Sequence, residues 1–529
     1  MIARIMAQDY STRPLWLPEL RRAFNAMPDA SRVILRLSRS SEATKDFEIR
    51  LPAASSEKAG ELILRYVTAT VYNILSVYSG RELCFYCEPA VRELLEEVPP
   101  GFFEHPGLNK VVHIAQRIHG GISFTFCPLA DYVPLEAPVS DIAMPLAEKL
   151  HALCSAAEHA CCVGVDVGGS DIKVAASVKG QLVYTEEYNW NPEASPTAEG
   201  IIEPIRQIIL RARETIEQCG HRLDAIGMSF PDIVIDDAVV GGETPKTKGI
   251  RENPDVDTEK ELLKIRNLKE ELLSLCAPGG RVRIVNDGNM AAFTAAMELS
   301  EGGRAEEIAR GVLSHSLGTD LGTGWLQENG TIPAIPLELY DLLLDLGNHI
   351  YAAHPPEDLR STRNENSSLP GIRRYLGQAA AYRLAWLRNS SLIAPFVQQR
   401  GDILMIPTEP EDLRKPCLEQ LMQLAAEGNT DAEEVFREIG KNLAVVAEEM
   451  HWLLGDTPPK RFLFGRFVKS TRCFALIREG FEEAETGIRL EAADEGLANT
   501  PLMRQLAAAS HVTVAQFGQA IGAIYYSLL

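Results

Sequence analysis

The chain has 529 residues, enough for roughly three to four domains, with 46% hydrophobic and 24% charged residues, the balance of an ordinary globular protein. Its formal net charge of -21 speaks against nucleic acid as the main partner, because phosphate contacts need clustered Lys and Arg. Residues 1–20 lack a leader-like apolar run and no stretch reaches the length of a membrane span, and ten scattered cysteines do not make a disulfide framework, so a cytoplasmic protein with free thiols and no membrane partner is expected.

In chain order, 1–158 reads as a separate mixed α/β domain. Residues 31–37 and 45–51 alternate like paired strands, 57–78 has apolar residues at helical spacing without a breaker, 82–87 is a strand and 89–97 a short helix. Here 16 Lys and Arg stand against 19 Asp and Glu with no basic helix, which disfavours a DNA-binding winged helix. Cys84 and Cys87 have C-x-x-C spacing but no second pair, and are expected to be buried thiols. The proline-rich stretch 128–145 is expected to contain the linker to the second domain.

Residues 161–173, CCVGVDVGGSDIK, dominate the remainder. Val163, Val165 and Val167 alternate as a buried strand, Gly168 and Gly169 make a tight turn open to a phosphate, and alternation resumes to Val178. The unit is therefore a hairpin, which argues against a Rossmann or Walker loop, since those need a helix N-terminus at this point. Asp166, at the strand end, is placed to hold a metal through water. A second copy lies at 314–328, SHSLGTDLGTGWLQE, so that two related lobes each offer one phosphate loop to a shared cleft; the alternative for either alone is an ordinary hairpin turn.

Between the hairpins, 181–188 is a strand, 197–219 an amphipathic helix, 223–230 a buried strand ended by Pro231-Asp232, and 257–276 one charged helix. A strand at 281–285 ends in Asn286-Asp287-Gly288-Asn289 and meets a small-residue helix at 290–299. Asp287, where a strand meets a helix N-terminus, is the candidate catalytic base; the competing reading is that it caps the helix.

Residues 163–173, 227–232, 285–292, 317–330 and 462–468, with the closing helix at 514–528, resemble the ROK family of sugar kinases and related repressors over 159–529. The resemblance implies the actin-like (ribonuclease H-like) fold of duplicated βββαβα lobes, here 159–300 and 301–529, with the last helix free to pack back on the first lobe. It further implies ATP and Mg²⁺ as cofactors and phosphorylation of a small sugar-like substrate; a homodimer is compatible. Gly168, Gly169 and Ser170 would meet the ATP phosphates from one lobe, and Gly318, Thr319, Gly322 and Gly324 from the other, with Gly465 on the adenine side. Asp166 would orient hydrated Mg²⁺, Asn286 would bind a sugar hydroxyl, and Asp287 would take its proton.

The departures also matter. The family's Glu-x-Gly-His sugar clamp becomes Asp345-Leu-Gly347-Asn348, so these two polar residues are the substrate candidates and glucose is not assumed. No cysteine occurs in 347–377, where His349 and His354 remain, and no structural zinc is expected. Arg466 replaces a glycine beside the base, and Asp320 puts a carboxylate among the phosphates that magnesium or a lysine has to offset. A sugar sensor of the same fold without turnover is the second expectation.

Overall fold

The computed structural model describes residues 10, 13–40, 43–136, 144–347, 354–362, 371–493 and 495–529. Its first sheet joins β1 (Ser31–Ser38), β2 (Thr44–Leu51), β3 (Glu82–Cys87) and β4 (Ser123–Pro128) in the order β2-β1-β3-β4, antiparallel but for the β3–β4 pair. Cys84 and Cys87 on β3 are buried free thiols.

The helix Glu57–Tyr78 crosses this sheet. Ser56 caps it, accepting from Ala59 N, and every residue from 69 to 78 is buried. A helix apolar on nearly all sides has to be covered twice. The N-terminal sheet covers one side, and the other meets 335–346, where Asn73 accepts from Leu343 N at 2.8 Å and donates to Leu343 O at 3.2 Å. One apolar core therefore runs from Leu17 through Tyr66 and Leu343 to Phe481.

The second sheet contains β5 (Cys161–Val167), β6 (Asp171–Val178), β7 (Gln181–Asn189), β8 (Ala225–Phe230) and, after a small hairpin of β9 (Val234–Ile235) and β10 (Ala238–Val239), β11 (Arg281–Asn286). Its order is β11-β8-β5-β6-β7, with β5, β8 and β11 parallel and β6 and β7 antiparallel to their neighbours. The segment expected as one helix at 257–276 is two, Thr258–Arg266 and Leu268–Leu273, because Asn267 ends the first. An asparagine that favours caps over helix interiors accounts for the break.

β12 (Val312–Leu317) and β13 (Leu321–Leu326) form the second glycine hairpin; a two-stranded ribbon of β14 (Gln398–Arg400) and β15 (Ile403–Met405) precedes β16 (Lys460–Phe464) and β17 (Arg489–Ala492). The third sheet, β13-β12-β16-β17, repeats the order β6-β5-β8-β11, an antiparallel hairpin followed by two parallel strands. Among the described residues no helix is long and apolar enough to cross a membrane.

The helix Val514–Tyr526 lies on the second sheet with backbone against backbone. A Cβ on Gly164 would stand 1.9 Å from Ala520 O, and one on Gly227 1.8 Å from Ala523 O, so only glycine permits this approach. Overpacking of this kind typically costs about 1–3 kcal/mol. Gly227→Ala is therefore expected to lower the unfolding free energy by at least that amount in a urea melt. Gly60→Ala, on an open face of the helix Glu57–Tyr78, is expected to be neutral or to stabilise by up to ~1 kcal/mol. Equal midpoints for the two variants would refute the backbone contact.

Candidate functional site

The parallel strands β5, β8 and β11 end together. Asp166 pairs in register with Ser229, and Asn286 with Phe230. Ser229 donates from Oγ to Gln519 Oε1 at 3.2 Å, linking this edge to the last helix.

At the end of β11 the chain enters the helix Asp287–Glu301, whose N-cap is Asn286. Asn286 Oδ1 accepts from Gly288 N at 2.9 Å and Asn289 N at 3.4 Å, while Nδ2 donates to Asp232 O at 3.0 Å. Both polar ends of Asn286 thus serve the fold, the amide Nδ2 giving one of its two hydrogens to Asp232 O. The same observation removes the capping reading of Asp287: Asp287 sits one residue further on, accepts from its neighbour Gly288 N at 2.9 Å, and lines a cleft. Burial pushes its carboxyl above the ordinary range, opposed by the field of Lys246.

That helix is pressed onto β13. A Cβ on Gly324 would stand 1.8 Å from Gly288 O, and Trp325 N donates to Asn289 Oδ1 at 2.9 Å. Gly324 is therefore a packing glycine at the crossing of helix and strand, a correction of its expected place among the phosphate donors.

The cleft has a volume of about 560 Å³ and opens where β12, β16 and β17 end, the usual place for a ligand in an α/β sheet. Asp287, Lys246, Gly318, Thr319, Gly322 and Gly465 all contribute to its wall. The turn at 318–320 is closed by Gly318 N donating to Asp320 O at 3.1 Å, and is held from behind by Gln378 N donating to Gly318 O at 3.0 Å. A Cβ on Gly318 would meet nothing within 4 Å, leaving that face of the turn open. Gly465 has φ +96 and would strike Leu317 O at 2.4 Å with any side chain; its N–H is directed at Glu495 Oε1, 3.4 Å away, and Glu495, not Arg466, lines the cleft.

Gly168, Gly169 and Ser170 lie on the opposite hairpin. Gly168 N donates to Asp171 O at 2.7 Å and Gly168 O accepts from Trp190 Nε1 at 3.2 Å, which leaves Gly169 and Ser170 exposed. The atom nearest to a Cβ on Gly169 is Lys246 Cε at 3.9 Å. Lys246 thus connects the first hairpin with the cleft wall formed by the second. Among the described residues no hydrogen bond or ion pair engages it, whereas Arg304, also in the wall, is paired with Glu307 and Lys173 with Asp171. Little in the sequence marks Lys246: a lysine in a polar loop has no periodicity, and the Gly241-Gly242 pair before it is the one available sign of a constrained turn.

Asp345 is not brought to this cleft. It is fully buried, with Oδ1 accepting from Leu15 N at 2.9 Å and Gly347 N at 2.8 Å and Oδ2 from the Tyr375 hydroxyl, so its carboxylate ties the chain start to 345–347 and has no face for a substrate. Asn348 lies outside the described residues, as does His349. No group of three or more His, Cys, Asp and Glu suited to a metal ion occurs among the described residues.

No family model matches the chain, and no curated protein does. Solved structures similar to it include a ROK family glucokinase from Streptomyces griseus in complex with glucose and AMPPNP, 18% identical, covering 70% of this chain and 99% of that one at a TM-score of 0.40. A glucokinase from Balamuthia mandrillaris in complex with glucose is 13% identical, covering 72% and 99% at 0.44. A ROK family transcriptional regulator, a homologue of the Escherichia coli MLC protein, is 14% identical, covering 70% and 79% at 0.42. At these scores the likeness carries no argument, and the chemistry rests on the residues above.

Asp166 offers a test of the site's electrostatics. Burial pushes its carboxyl from 3.8 to about 6, with Lys173 opposing and Asp287 adding to the rise. A carboxyl whose folded value is raised stabilises the fold fully below pH 3.8 and loses that contribution as pH rises through about 6. At about 1.4 kcal/mol for each pH unit between the two values, ionisation costs up to ~3 kcal/mol, an upper bound because water reaches part of the side chain. Asp166→Asn is expected to raise the melting temperature at pH 8 and leave it unchanged at pH 4; equal effects at both would contradict this electrostatic account.

Proposed function

We propose that the chain is an ATP- and Mg²⁺-dependent phosphotransferase acting on a hydroxyl of a sugar or sugar-like polyol, built on duplicated actin-like lobes over 159–300 and 301–529. The observation that carries this reading is Asp287: a carboxylate at a strand end, relieved of capping by Asn286, in the wall of a cleft rimmed by a glycine turn. General-base catalysis by such a group is favoured by a proton affinity above that of a free carboxylate, the direction in which burial acts.

The residues present fit the cofactors. Asp166 and Asp287 are neighbouring carboxyls whose mutual repulsion and desolvation a divalent cation would offset, and the open faces of Gly318 and Gly169 leave room for phosphate oxygens. Gly168, Gly169 and Ser170 would serve the triphosphate from one side and Gly318, Thr319 and Gly322 from the other, with Gly465 and Glu495 beside the nucleoside. Asp166 would hold Mg²⁺ through water; the bound metal neutralises phosphate charge. Lys246, in the same cleft wall, would take an oxygen of the terminal phosphate. As the acceptor oxygen bonds to the γ-phosphorus and the bond to ADP breaks, the hydroxyl proton passes to Asp287.

A second reading, a ligand sensor without turnover, is favoured by Asp345, whose carboxylate is spent on the fold where a sugar clamp was expected. ADP release from MgATP with a panel of hexoses and polyols separates the two. The kinase reading expects ADP from the parent and a loss of about 10²- to 10⁴-fold in Asp287→Asn under single turnover, with MgATP binding and the thermal melt retained. A parent that binds sugar yet releases no ADP with any acceptor would establish the sensor; a variant as fast as the parent would remove Asp287 from the chemistry.

A further inference from the structure

Lys246 stands on the loop 241–247, which is gripped from two sides by different parts of the chain. On one side Asp232, buried at the end of β8, accepts from Gly242 N at 3.0 Å and Thr244 Oγ1 at 3.4 Å, and Thr247 Oγ1 donates to Gly242 O at 2.7 Å. A Cβ on Gly241 would stand 1.7 Å from Asp232 Oδ1, and Gly242 has φ +85, so the loop needs both glycines and would be free to swing without its restraints.

The other grip comes from more than a hundred residues earlier. The helix Lys110–His119, which the sequence reading did not anticipate, packs Ile114 and Ile118 on Ile233 and Val240. From its last turn Arg117 donates Nη1 to Gly241 O and places Nη2 at 2.9 Å from Glu243 Oε1; its Nε and Nη2 also hold Glu259 at 3.1 and 2.8 Å. Arg266 Nη1 donates to Arg117 O at 2.8 Å and fixes the turn itself. Only 11% of the Arg117 side chain is exposed, and its guanidinium fork spends two contacts on the loop that carries Lys246. At its opposite end the same helix is tied to the segment after β13: Lys110 Nζ donates to Tyr340 Oη at 2.8 Å and pairs with Asp341, and Glu338 lies 4.0 Å away. One ten-residue helix thus touches the loop following β10 and the segment following β13.

We propose that Arg117 is a positioning residue for Lys246, so that the N-terminal part of the chain completes the cleft formed by the other two sheets. The anion that Lys246 receives is taken from the phosphotransferase reading; the positioning itself is independent of it. Without Arg117 the loop keeps its hold on Asp232 but loses the contacts at Gly241 and Glu243, and Lys246 no longer has one place relative to Gly169 and Asp287.

The test uses the full chain and four variants: Lys246→Met, Arg117→Ala, Arg117→Gln should alanine fail to fold, and the double variant. Titration with MgATP is expected to show a loss of affinity of about 10- to 100-fold for Lys246→Met, the range of a charge-assisted contact. A loss of about 3- to 10-fold is expected for Arg117→Ala, as for a contact acting through another, and no further loss when Arg117→Ala is added to Lys246→Met. A merely bracing arginine would weaken Lys246→Met by its full factor again, and additivity therefore overturns the proposal. Amide hydrogen exchange across 241–247 supplies the readout that needs no nucleotide: at least tenfold faster exchange in Arg117→Ala, with the melting temperature held within a few degrees, is expected, and unchanged exchange overturns the proposal. A parent that fails to bind MgATP while exchange responds to Arg117 overturns the phosphotransferase reading and leaves the positioning standing.

Discussion

Gly288 and Gly324 pass each other backbone to backbone, and the site exists because they can. The contact lets the helix that begins at Asp287 press its first turn onto β13, so that a residue delivered by the second sheet ends up in the wall of a cleft belonging to the third. A methyl group at either position would separate helix from strand and take Asp287 away from the 318–320 turn. Asn289, bound to Trp325 N, fixes the rotation of the helix, and Asn286, by filling the cap, leaves the Asp287 carboxylate in the cleft wall.

The N-terminal part of the chain contributes differently. The helix Glu57–Tyr78 has too many apolar sides for one sheet to cover, and its second covering is the segment 335–346. The buried Arg21–Glu449 pair, bidentate at 2.6 and 3.0 Å with Asn73 Nδ2 donating to Glu449 at 3.3 Å, specifies how that joint is oriented. An ion pair this deep orients more than it stabilises, since desolvation cancels much of its attraction. The joint then fixes where Lys110–His119 passes from the segment after β13 to the loop 241–247.

Much of this is legible in the sequence. Alternating valines before Gly168 and the repeat of the pattern at 314–328 announce both hairpins, and the Asn286-Asp287-Gly288-Asn289 run announces a strand meeting a helix, because each of these signals is local. What fails is whatever depends on the partner. Asn286 and Asp287 are equally good caps by composition, and only the direction in which the chain leaves β11 decides between them. Gly324 looks like its neighbour Gly322 until the helix is laid across it. Lys246 and Arg117 lie in unrelated segments, and nothing local marks either one. Asp345 is a ligand candidate only through the family resemblance, whereas Leu15 and Tyr375, which consume it, lie far off in sequence.

The close seat of Val514–Tyr526 on Gly164 and Gly227 also sets an order of assembly. β5, β8 and β11 are complete more than two hundred residues before the helix that covers them is synthesised. β8 is buried at every position in the finished protein, so during synthesis one of its faces waits without a cover. Strands this apolar, exposed while the rest of the chain emerges, are the species that chaperones bind and that aggregation recruits. The second sheet is therefore older in translation than the helix that covers it, and that face stays wet for as long as the rest of the chain takes to emerge.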